Sequence, residues 1–395
     1  MPFEPKAGGR MRENDSEHGL RFLFFTGGTA LRAISTHLKA SNPASQHIVT
    51  TFDSGGSTAE LRRCFAIPAL GDVRNRLLAL ADDSLLDPAV TACFAKRLPM
   101  TGSRASLVRM IGDLSDPADQ YWSATPPPAI HFLTQTLARF LALLPDDFDP
   151  RGASVGNCIV AAHFLKNKRQ FAPTLAFFHD FLHVRGRVIP IVDDSFHLGC
   201  VLRDGTTVLG QHTFKAIRQA IRSVFLTVHE PDRQCVPDVC RPKCSDEALR
   251  AIGCADAIVY PIGSFYSSVL VNLLVAGVGG AIAARACPKI FIPNVGFDPE
   301  LIDCSIENQC RALLAAMRDD VGEKPVDRFL NYVLVDSAQG EYMGRFDAST
   351  RAYLAHAGIR LIDRPICPYR DRHDPLATIR ALNECVADWR RAHGE

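Results

Sequence analysis

Carboxylates beside glycine-rich runs are the residues of this chain with the clearest chemical potential. Residues 52–58 read FDSGGST and residues 70–75 read LGDVRN, each where a helical pattern begins. Glycines let the backbone approach a ligand, the free N–H groups of a helix's first turn bind anions, and a flanking carboxylate can hold the cation that accompanies a phosphate. We therefore expect a nucleotide or sugar-nucleotide site with Asp53 and Asp72, nineteen residues apart, on its rim.

Both acidic runs also have plainer interpretations. Asp53 suits an Asx turn at the start of the next helix, and Asp72 suits an N-cap that pairs with Arg74. An arginine beside exposed N–H groups is equally suited to bidentate contact with phosphate. The position of Asp53 after a β-like run favours function, because open α/β sheets bind their ligands at the carboxyl ends of strands.

Three further loops have the same character, with small residues and hydroxyl or amide groups at the start of a helical pattern. They are residues 26–30 (TGGTA), 151–157 (RGASVGN) and 261–268 (PIGSFYSS). The first lacks the third glycine of the dinucleotide fingerprint and also fits a tight strand-to-helix turn, and the chain contains no GxxxxGK[ST] run. In a parallel sheet all of these loops converge at one edge, which we expect to form the pocket.

The elements that must position these loops alternate between β-like and helical patterns. The β-like runs are residues 21–25, 47–52, 188–192, 258–261, 289–292, 332–335 and 359–362. Strands connected through helices lie parallel, with right-handed crossovers. The sequence therefore predicts an α/β fold with a Rossmann-like, mainly parallel sheet flanked by helices.

Two stretches depart from this alternation. Residues from about 84 to 150 lack strand signals and predict a helical insertion, and the turn RDGT at residues 203–206 predicts a small antiparallel ornament. We expect residues 21–395 to form one domain. Residues 1–20 lack an apolar core and predict a disordered lead-in.

The composition limits the classes of partner. The chain has 395 residues, 47% apolar and 22% charged, with a net charge of +1. This near-neutral balance supplies no broad field for capturing nucleic acid or an anionic membrane. The longest apolar stretch, residues 269–284, is interrupted by Asn272 and three glycines, and it falls short of a membrane span. We therefore expect a small-molecule ligand and neither a nucleic acid nor a membrane.

The thirteen cysteines are interpreted as reduced and mostly buried, because the chain shows no secretory segment. This usage favours a cytoplasmic location. Cys235, Cys240 and Cys244 form the tightest cluster, but their spacing does not match the paired knuckles of common zinc sites.

The ordered series of loops resembles the superfamily that joins 2-phospho-L-lactate transferase (CofD), of coenzyme F420 synthesis, with the YvcK-like gluconeogenesis factors. The family pattern is a glycine-rich first turn, a DDGGSSG-like loop and then PxGDxRN, here residues 26–30, 53–58 and 68–75. The later signatures are residues 154–157, 188–190, 204–206, 255–259 and 263–268, followed by Asn294 and residues 373–375. The resemblance spans about residues 20–390.

This chain departs from the family pattern at several positions. Ser54 stands where relatives often carry a second aspartate, Ala59 and Ile262 replace common glycines, and residues 296–300 (GFDPE) replace a Gly-Glu-Thr-type segment. The sequence of these motifs is most similar to that of a divergent CofD-like branch, which accompanies an ATP-grasp enzyme and a kinase-like protein in bacterial gene sets. That resemblance implies these two proteins as partners and leaves a homodimer open.

The resemblance implies one of two functions. The first is a transferase that moves a phosphoester-bearing group from a nucleotide-linked donor to an acceptor hydroxyl with Mg²⁺. The second is a non-catalytic binder of a nucleotide sugar that acts through a partner. Loss of the second acid at Ser54 favours the binder, whereas Asp53 and Arg74 fit both.

The residues are assigned accordingly. Asp53, Asp72 and Arg74 are the expected catalytic residues, and Asp53 is the expected metal ligand. The expected ligand-binding residues are Gly27, Gly28, Thr29, Gly55, Gly56, Ser57, Gly71, Asn75, Ser154, Asn157, Gly263, Ser264, Tyr266, Ser267 and Asn294.

Overall fold

Two β-sheets organise the part of the chain that the computed structural model describes, which is residues 19–123, 125–230, 238–343 and 346–394. The larger sheet has seven parallel strands in the order β11-β10-β9-β8-β1-β2-β3. Its strands are β1 Phe22–Thr26, β2 Gln46–Val49, β3 Arg187–Pro190, β8 Ala257–Tyr260, β9 Lys289–Phe291, β10 Tyr332–Val335 and β11 Arg360–Asp363. The strand order reverses between β1 and β8, and such a reversal opens a crevice at the carboxyl ends of the two strands.

The smaller sheet has four antiparallel strands in the order β5-β4-β6-β7. Its strands are β4 His197–Leu202, β5 Thr207–Leu209, β6 Ile221–Thr227 and β7 Val239–Cys240. The hairpin between β4 and β5 turns through Asp204 and Gly205, as the sequence predicts, and the Asp204 carboxylate accepts a hydrogen bond from Thr206 N at 2.9 Å. The prediction of an antiparallel ornament is confirmed.

Helices connect the strands and cover the larger sheet. Those before β3 are α1 Arg32–Ser41, α2 Gly56–Phe65, α3 Gly71–Leu80, α4 Pro88–Ala95, α5 Arg104–Ser115, α6 Pro127–Leu143, α7 Val155–Lys166 and α8 Phe171–Phe181. Those after it are α9 Asp246–Cys254, α10 Val271–Leu273, α11 Val278–Ala284, α12 Ile306–Val321, α13 Ala348–His356 and α14 Pro375–His393. A π-helix, Phe265–Leu270, leads into α10.

Strand β1 is buried on both faces, as the apolar run in its sequence predicts for a central parallel strand. Phe22 and Phe24 pack in a core with α1 and α14. Leu23 and Phe25 point to the opposite face and pack in a core that includes α9, α11, α12 and the smaller sheet. The Rossmann-like prediction is therefore confirmed, because helices lie on both faces of a parallel sheet.

A third core gathers the helices of the predicted insertion with their neighbours α2, α3, α7 and α8. The buried side chains of Trp122, Phe140 and Phe148 pack in this core, which reaches Val49 of β2 and Val188 of β3. The loops before α2, α3 and α7 therefore rest on a helical layer beside one edge of the main sheet.

Strand β2 is shorter than the sequence indicates, because it ends at Val49 rather than at Phe52. Its neighbours β1 and β3 end at Thr26 and Pro190, which pair with Val49, and no ladder continues beyond that register. Residues 50–55 thus form an irregular connection that carries Asp53 away from the strand end.

Several earlier interpretations concern parts of the chain outside the described ranges. The disordered lead-in falls there up to residue 18, and so does Cys235 of the cysteine cluster. The twelve cysteines within the ranges are free thiols. Among the helices built from described residues, none combines the length and apolarity needed to cross a bilayer.

Candidate functional site

The first glycine loop, which follows β1, lies against the first turn of α3. A Cβ atom added at Gly28 would overlap Asp72 Oδ1 and would stand 2.8 Å from Asn75 Nδ2. A Cβ atom at Gly27 would stand 2.5 Å from Ser268 Oγ and 3.3 Å from Asp72 Oδ2. The loop after β1 therefore touches residues from two other loops of the predicted site, while Thr29 is exposed beside it.

The second loop brings Asp53 to the same place. The Asp53 carboxylate accepts a hydrogen bond from Gly55 N at 3.1 Å and another from the Thr58 hydroxyl. The following Gly56 is exposed at the first position of α2. Ser57 is used differently, because its hydroxyl accepts a hydrogen bond from Ser154 N at 2.9 Å and so ties α2 to the start of α7.

The third loop closes on the second. A Cβ atom at Gly71 would stand 2.5 Å from Thr58 Oγ1 and 3.6 Å from Asp53 Oδ2, so glycine is needed for this approach. Asp72 is not the N-cap that the sequence suggests: Leu70 holds that position, and Asp72 lies within the first turn. Its side chain is therefore free to face the glycine loop after β1.

Asp53 and Asp72 form an electrostatically coupled pair. Burial raises the pKa of Asp72 to about 7, and repulsion from Asp53 contributes to the rise, against the charges of Arg76 and Arg74. Burial also raises the pKa of Asp53, against hydrogen bonds from Gly55 and Thr58 and the charge of Arg62. Asp53 and Asp72 are each partly exposed as whole residues, whereas burial is the main cause of both pKa shifts.

Arg74, in the first turn of α3, is hydrogen-bonded to residues of two neighbouring segments. Its Nε donates to Asn157 Oδ1 at 3.0 Å, and its Nη1 donates to the Phe94 carbonyl at 3.4 Å. Burial lowers its pKa to about 10, and the nearby charges of Arg97 and Arg32 act in the same direction. The charge of Asp72 acts in the opposite direction and raises this pKa. Within the described ranges no carboxylate lies at ion-pair distance from these three arginines, and they form a positive rim.

The fourth loop holds this rim in place. Ser154 caps α7 by accepting a hydrogen bond from Asn157 N at 3.3 Å, and its backbone bridges to that of Arg97. Asn157 is buried and orients Arg74. Ser154 and Asn157 thus lie next to Arg74, and their side chains are engaged within the protein.

The fifth loop reaches the site through its backbone. Asn294 Oδ1 accepts a hydrogen bond from Gly263 N at 2.7 Å, and Asn294 Nδ2 donates to Gly263 O at 2.6 Å. This clamp holds Gly263 at a φ of +146°, which side-chain-bearing residues rarely adopt. Because Nδ2 also donates to Asp298 at 2.9 Å, Asn294 holds the loop and is not the free amide expected for ligand binding.

Two residues predicted in the fifth loop turn away from the glycines. The Tyr266 hydroxyl lies against Ile221 O at 3.4 Å, and Ser267 Oγ donates to Glu300 Oε1 at 2.5 Å. Glu300 also accepts hydrogen bonds from the N–H groups of Tyr266 and Ser267, and burial raises its pKa to about 7. The assignment of these two side chains to ligand binding is therefore corrected in favour of Ser268, which faces Gly27. Ser264 stays beside the loop, where its carbonyl accepts from Ser268 N.

Two buried arginines anchor the loops and were missed by sequence reasoning. Arg76 is fully buried and donates to Thr26 Oγ1 and Gly27 O, both at 2.8 Å, and to Ser35 Oγ at 2.6 Å. Arg62 donates to Asp53 O at 2.8 Å and to Phe196 O at 2.6 Å. Each binds a backbone segment distant in sequence, and nothing in the local pattern distinguishes them from solvated helix arginines.

The donor set suits a magnesium ion that also contacts a phosphate. Mg²⁺ prefers oxygen ligands and is commonly bound through one or two carboxylates together with substrate phosphates and water. Asp53 supplies a carboxylate for such an ion, and Asp72 supplies a second carboxylate that is electrostatically coupled to it. In the described residues no cluster of three or more acidic, histidine or cysteine side chains is arranged for a metal, so phosphate and water would complete the coordination.

Comparison with known proteins identifies relatives of this chain. A family model described as 2-phospho-L-lactate transferase CofD matches residues 23–363. The gluconeogenesis factor of Halalkalibacterium halodurans is 31% identical over 273 residues, which are 69% of this chain and 66% of that protein. The gluconeogenesis factor of Bacillus subtilis strain 168 is 29% identical over 279 residues, 71% of this chain and 69% of that protein. The match thus spans about two thirds of the length of these curated relatives.

A solved structure shows the same fold. The crystal structure of a UPF0052 family protein from Bacillus halodurans covers 92% of this chain and 99% of its own, with a TM-score of 0.66 and 26% identity. Since the CofD family model spans residues 23–363 and includes every loop described above, this chain belongs to the CofD family.

Proposed function

We propose that the protein is a CofD-like transferase that moves a phosphoester-bearing group from a nucleotide-linked donor to an acceptor hydroxyl. The observation that carries this proposal is the meeting of Asp53 and Asp72 among three glycine loops, beside the strand reversal at β1 and β8. A crevice of this kind is where open α/β sheets bind nucleotides.

The charges around the cleft support a phosphoester ligand. Arg97 and Arg32 repel the charge of Arg74, and attraction from Asp72 opposes only part of this repulsion. A bound phosphate would offset this repulsion, and guanidinium groups suit it because they donate paired hydrogen bonds. The backbone N–H of Gly56, at the first position of α2, adds to the anion site.

The proposed transfer requires that the acceptor hydroxyl be positioned in line with the phosphorus and that the phosphoryl charge be neutralised. The acceptor oxygen attacks the donor's terminal phosphorus in line, the bond from that phosphorus to the bridging oxygen breaks, and the nucleoside monophosphate leaves with the bond's electron pair. Asp72, with a pKa near 7, is matched to take the proton of the acceptor hydroxyl at neutral pH. Arg74 stabilises charge on the phosphoryl oxygens. Mg²⁺ held by Asp53 would neutralise phosphate charge when bound.

A second candidate function is favoured by one residue. Ser54 replaces the second aspartate common among relatives, and its hydroxyl is engaged with His212 at 3.0 Å. The loop therefore offers one carboxylate fewer for a metal. A non-catalytic binder of a nucleotide sugar, which changes a partner interaction, needs the pocket but not the full metal site. The curated relatives named as gluconeogenesis factors agree with this second function.

Measurements of ligand binding and then of turnover distinguish the transferase from the non-catalytic binder. Thermal unfolding is measured with GTP, GDP and UDP-N-acetylglucosamine, each with and without Mg²⁺. Release of nucleoside monophosphate is then followed with diphosphate-linked donors and hydroxyl-bearing acceptors. For a transferase we expect stabilisation that increases with Mg²⁺ and turnover that Asp53→Asn removes. Stabilisation without turnover for any donor and acceptor pair would favour the binder, and turnover retained in Asp53→Asn would remove Asp53 from the mechanism.

A further inference from the structure

A histidine from the smaller sheet reaches the Asp53 loop. Ser54 Oγ and His212 Nδ1 lie 3.0 Å apart, and the backbone N–H of His212 donates to the same Oγ at 3.3 Å. His212 belongs to a short 3-10 helix, Gln211–Ala216, that follows β5. The smaller sheet thus brings an imidazole to a loop of the main sheet that lies 158 residues away in sequence.

The hydrogen bonds of Ser54 favour one tautomer of the His212 ring. The Ser54 hydroxyl accepts from the backbone of His212, and its own proton has one acceptor among the described residues, His212 Nδ1. Ser54 is buried, so its proton does not turn to solvent. A neutral imidazole whose Nδ1 accepts carries its proton on Nε2, and an imidazolium carries one there as well. Nε2–H is therefore a donor in both states.

The ring is placed to use that donor on a ligand. A Cβ atom at Gly55 would stand 3.3 Å from His212 Cβ and 3.5 Å from Asp53 Oδ1, so the histidine lies directly beside the glycines of the loop. His212 is exposed, and Nε2 makes no hydrogen bond within the described ranges. The unpartnered donor therefore borders the proposed phosphate position.

The 3-10 helix that carries His212 is anchored in the core. Phe214, in the same 3-10 helix, is 1% exposed and packs in the core with the smaller sheet. Arg62 adds a second tie, because it donates both to the Asp53 carbonyl and to Phe196 O next to β4. The loop and the smaller sheet are thus held together at two independent points.

We propose that His212 is a ligand-binding residue whose Nε2–H donates to an anionic oxygen of the phosphoester group at the 53–58 loop. Ser54 is the positioning residue that orients the ring and sets its tautomer. This inference rests on the proposed function, and it holds for the transferase and for the binder alike. It also gives the exchange of the second acid for Ser54 a physical consequence, because a carboxylate at that position would attract the Nδ1 proton instead.

Calorimetric titration of the full chain with GDP and with UDP-N-acetylglucosamine, each with Mg²⁺, tests the proposal. His212→Phe keeps an aromatic ring and removes both nitrogens, and the dissociation constant should rise about ten- to hundredfold, as for the loss of a hydrogen bond to a charged group. Ser54→Ala leaves the His212 ring unoriented, and we expect the dissociation constant to rise about threefold. His37→Gln, an exposed histidine on α1, is the matched control and should bind as the unmodified protein does.

Nitrogen-15 spectra of histidine-labelled protein add a readout that packing alone would not move. The signals absent in His212→Phe identify this ring, and they should show a protonated Nε2 that shifts when GDP is added. In Ser54→Ala we expect a mixture of tautomers. If the unmodified protein binds neither nucleotide, the proposed function fails, and the assignment of His212 fails with it. If the unmodified protein binds and His212→Phe binds equally well, only the assignment of His212 is overturned.

Discussion

The Asp72 carboxylate occupies the space that a side chain at Gly28 would need, with Oδ1 of Asp72 directly in front of the glycine. The atom that a new methyl group would meet is the end of a side chain, which can rotate away. Substitution at this position therefore disturbs the position of Asp72 more than it disturbs the backbone.

Gly28→Ala should separate folding from function for this reason. We expect a folded protein, with Asp72 displaced from the cleft and at least a tenfold weaker response to nucleotide and Mg²⁺. Gly253→Ala is the matched control, because Gly253 lies in α9 with open space around a Cβ atom. Alanine favours a helix by about 1 kcal/mol there, so this variant should gain stability and bind normally. Equal binding by both variants would contradict the close approach at Gly28. Thermal unfolding and calorimetric titration give the two readouts.

Asp72→Asn should be more stable than the unmodified protein at pH 8. The pKa of Asp72 rises from an ordinary value of 3.8 to about 7 on folding, so the folded protein holds an extra proton between these values. Its free energy of unfolding therefore falls as pH rises through this window and the cost is fully present above pH 7. Asparagine cannot ionise, so the advantage of the variant should shrink as the pH is lowered to 5.

Urea unfolding at pH 5 and pH 8 measures this difference. Asp147→Asn is a control whose effect on the free energy of unfolding has the opposite sign. The hydrogen bond from Arg63 lowers the pKa of that exposed carboxylate, so its loss should destabilise the protein. An advantage of Asp72→Asn that is equal at the two pH values would show that the carboxylate carries no electrostatic cost. The same variant should lose turnover, since the proton acceptor is gone.

Arg76→Lys should destabilise the loop after β1. A lysine has one nitrogen and cannot reach Ser35 Oγ, Thr26 Oγ1 and Gly27 O together. A buried group left without its hydrogen bond costs about 1–3 kcal/mol, so we expect a loss of roughly 2–6 kcal/mol for two such groups. Arg109→Lys, on the exposed side of α5, should leave the urea midpoint unchanged. A midpoint of Arg76→Lys within error of the unmodified protein would contradict the anchoring role.

Arg74→Gln should weaken ligand binding without a matching loss of stability. Burial and the charges of Arg97 and Arg32 oppose the Arg74 charge, whereas the charge of Asp72 favours it. Removing the Arg74 charge therefore relieves repulsion from two arginines at the loss of one attraction. Glutamine retains a donor for Asn157, so the loop before α7 should keep its shape. We expect the dissociation constant for GDP with Mg²⁺ to rise by about one to two orders of magnitude, as for a charged hydrogen bond. Binding that is unchanged while the unfolding temperature falls would make Arg74 structural.

The elements of this fold are readable from local patterns, whereas their order in the sheet is not. Continuous apolar runs predict buried parallel strands, and Asp374 followed by Pro375 predicts the start of α14, where the Asp374 carboxylate accepts from Ala377 N at 2.6 Å. Strand order depends on which strands pair, and no local pattern encodes the reversal at β1 and β8. The glycine loops could be predicted because the need for glycine at a tight turn is visible in the local sequence.

The roles of individual side chains were harder to predict because their partners come from elsewhere in the chain. Ser267 and Ser268 are neighbours with equal chemistry, and the π-helix with its Glu300 anchor determines which of them faces Gly27. Asn294 carries a predicted binding amide, but both of its polar atoms are taken by Gly263 and Asp298. Arg62 and Arg76 resemble ordinary helix arginines until the loops that they hold are placed beside them.

The pairing of β1 with β8 also sets an order of events during synthesis. Arg21 and Asp256, which flank this pairing, lie 235 positions apart and hydrogen-bond to each other. A growing chain that has emerged from the ribosome only as far as β3 carries four of the five loops but leaves one edge of β1 uncovered. Nucleotide retention on stalled nascent chains should therefore appear only after β8 and the turn behind it are available, late in translation.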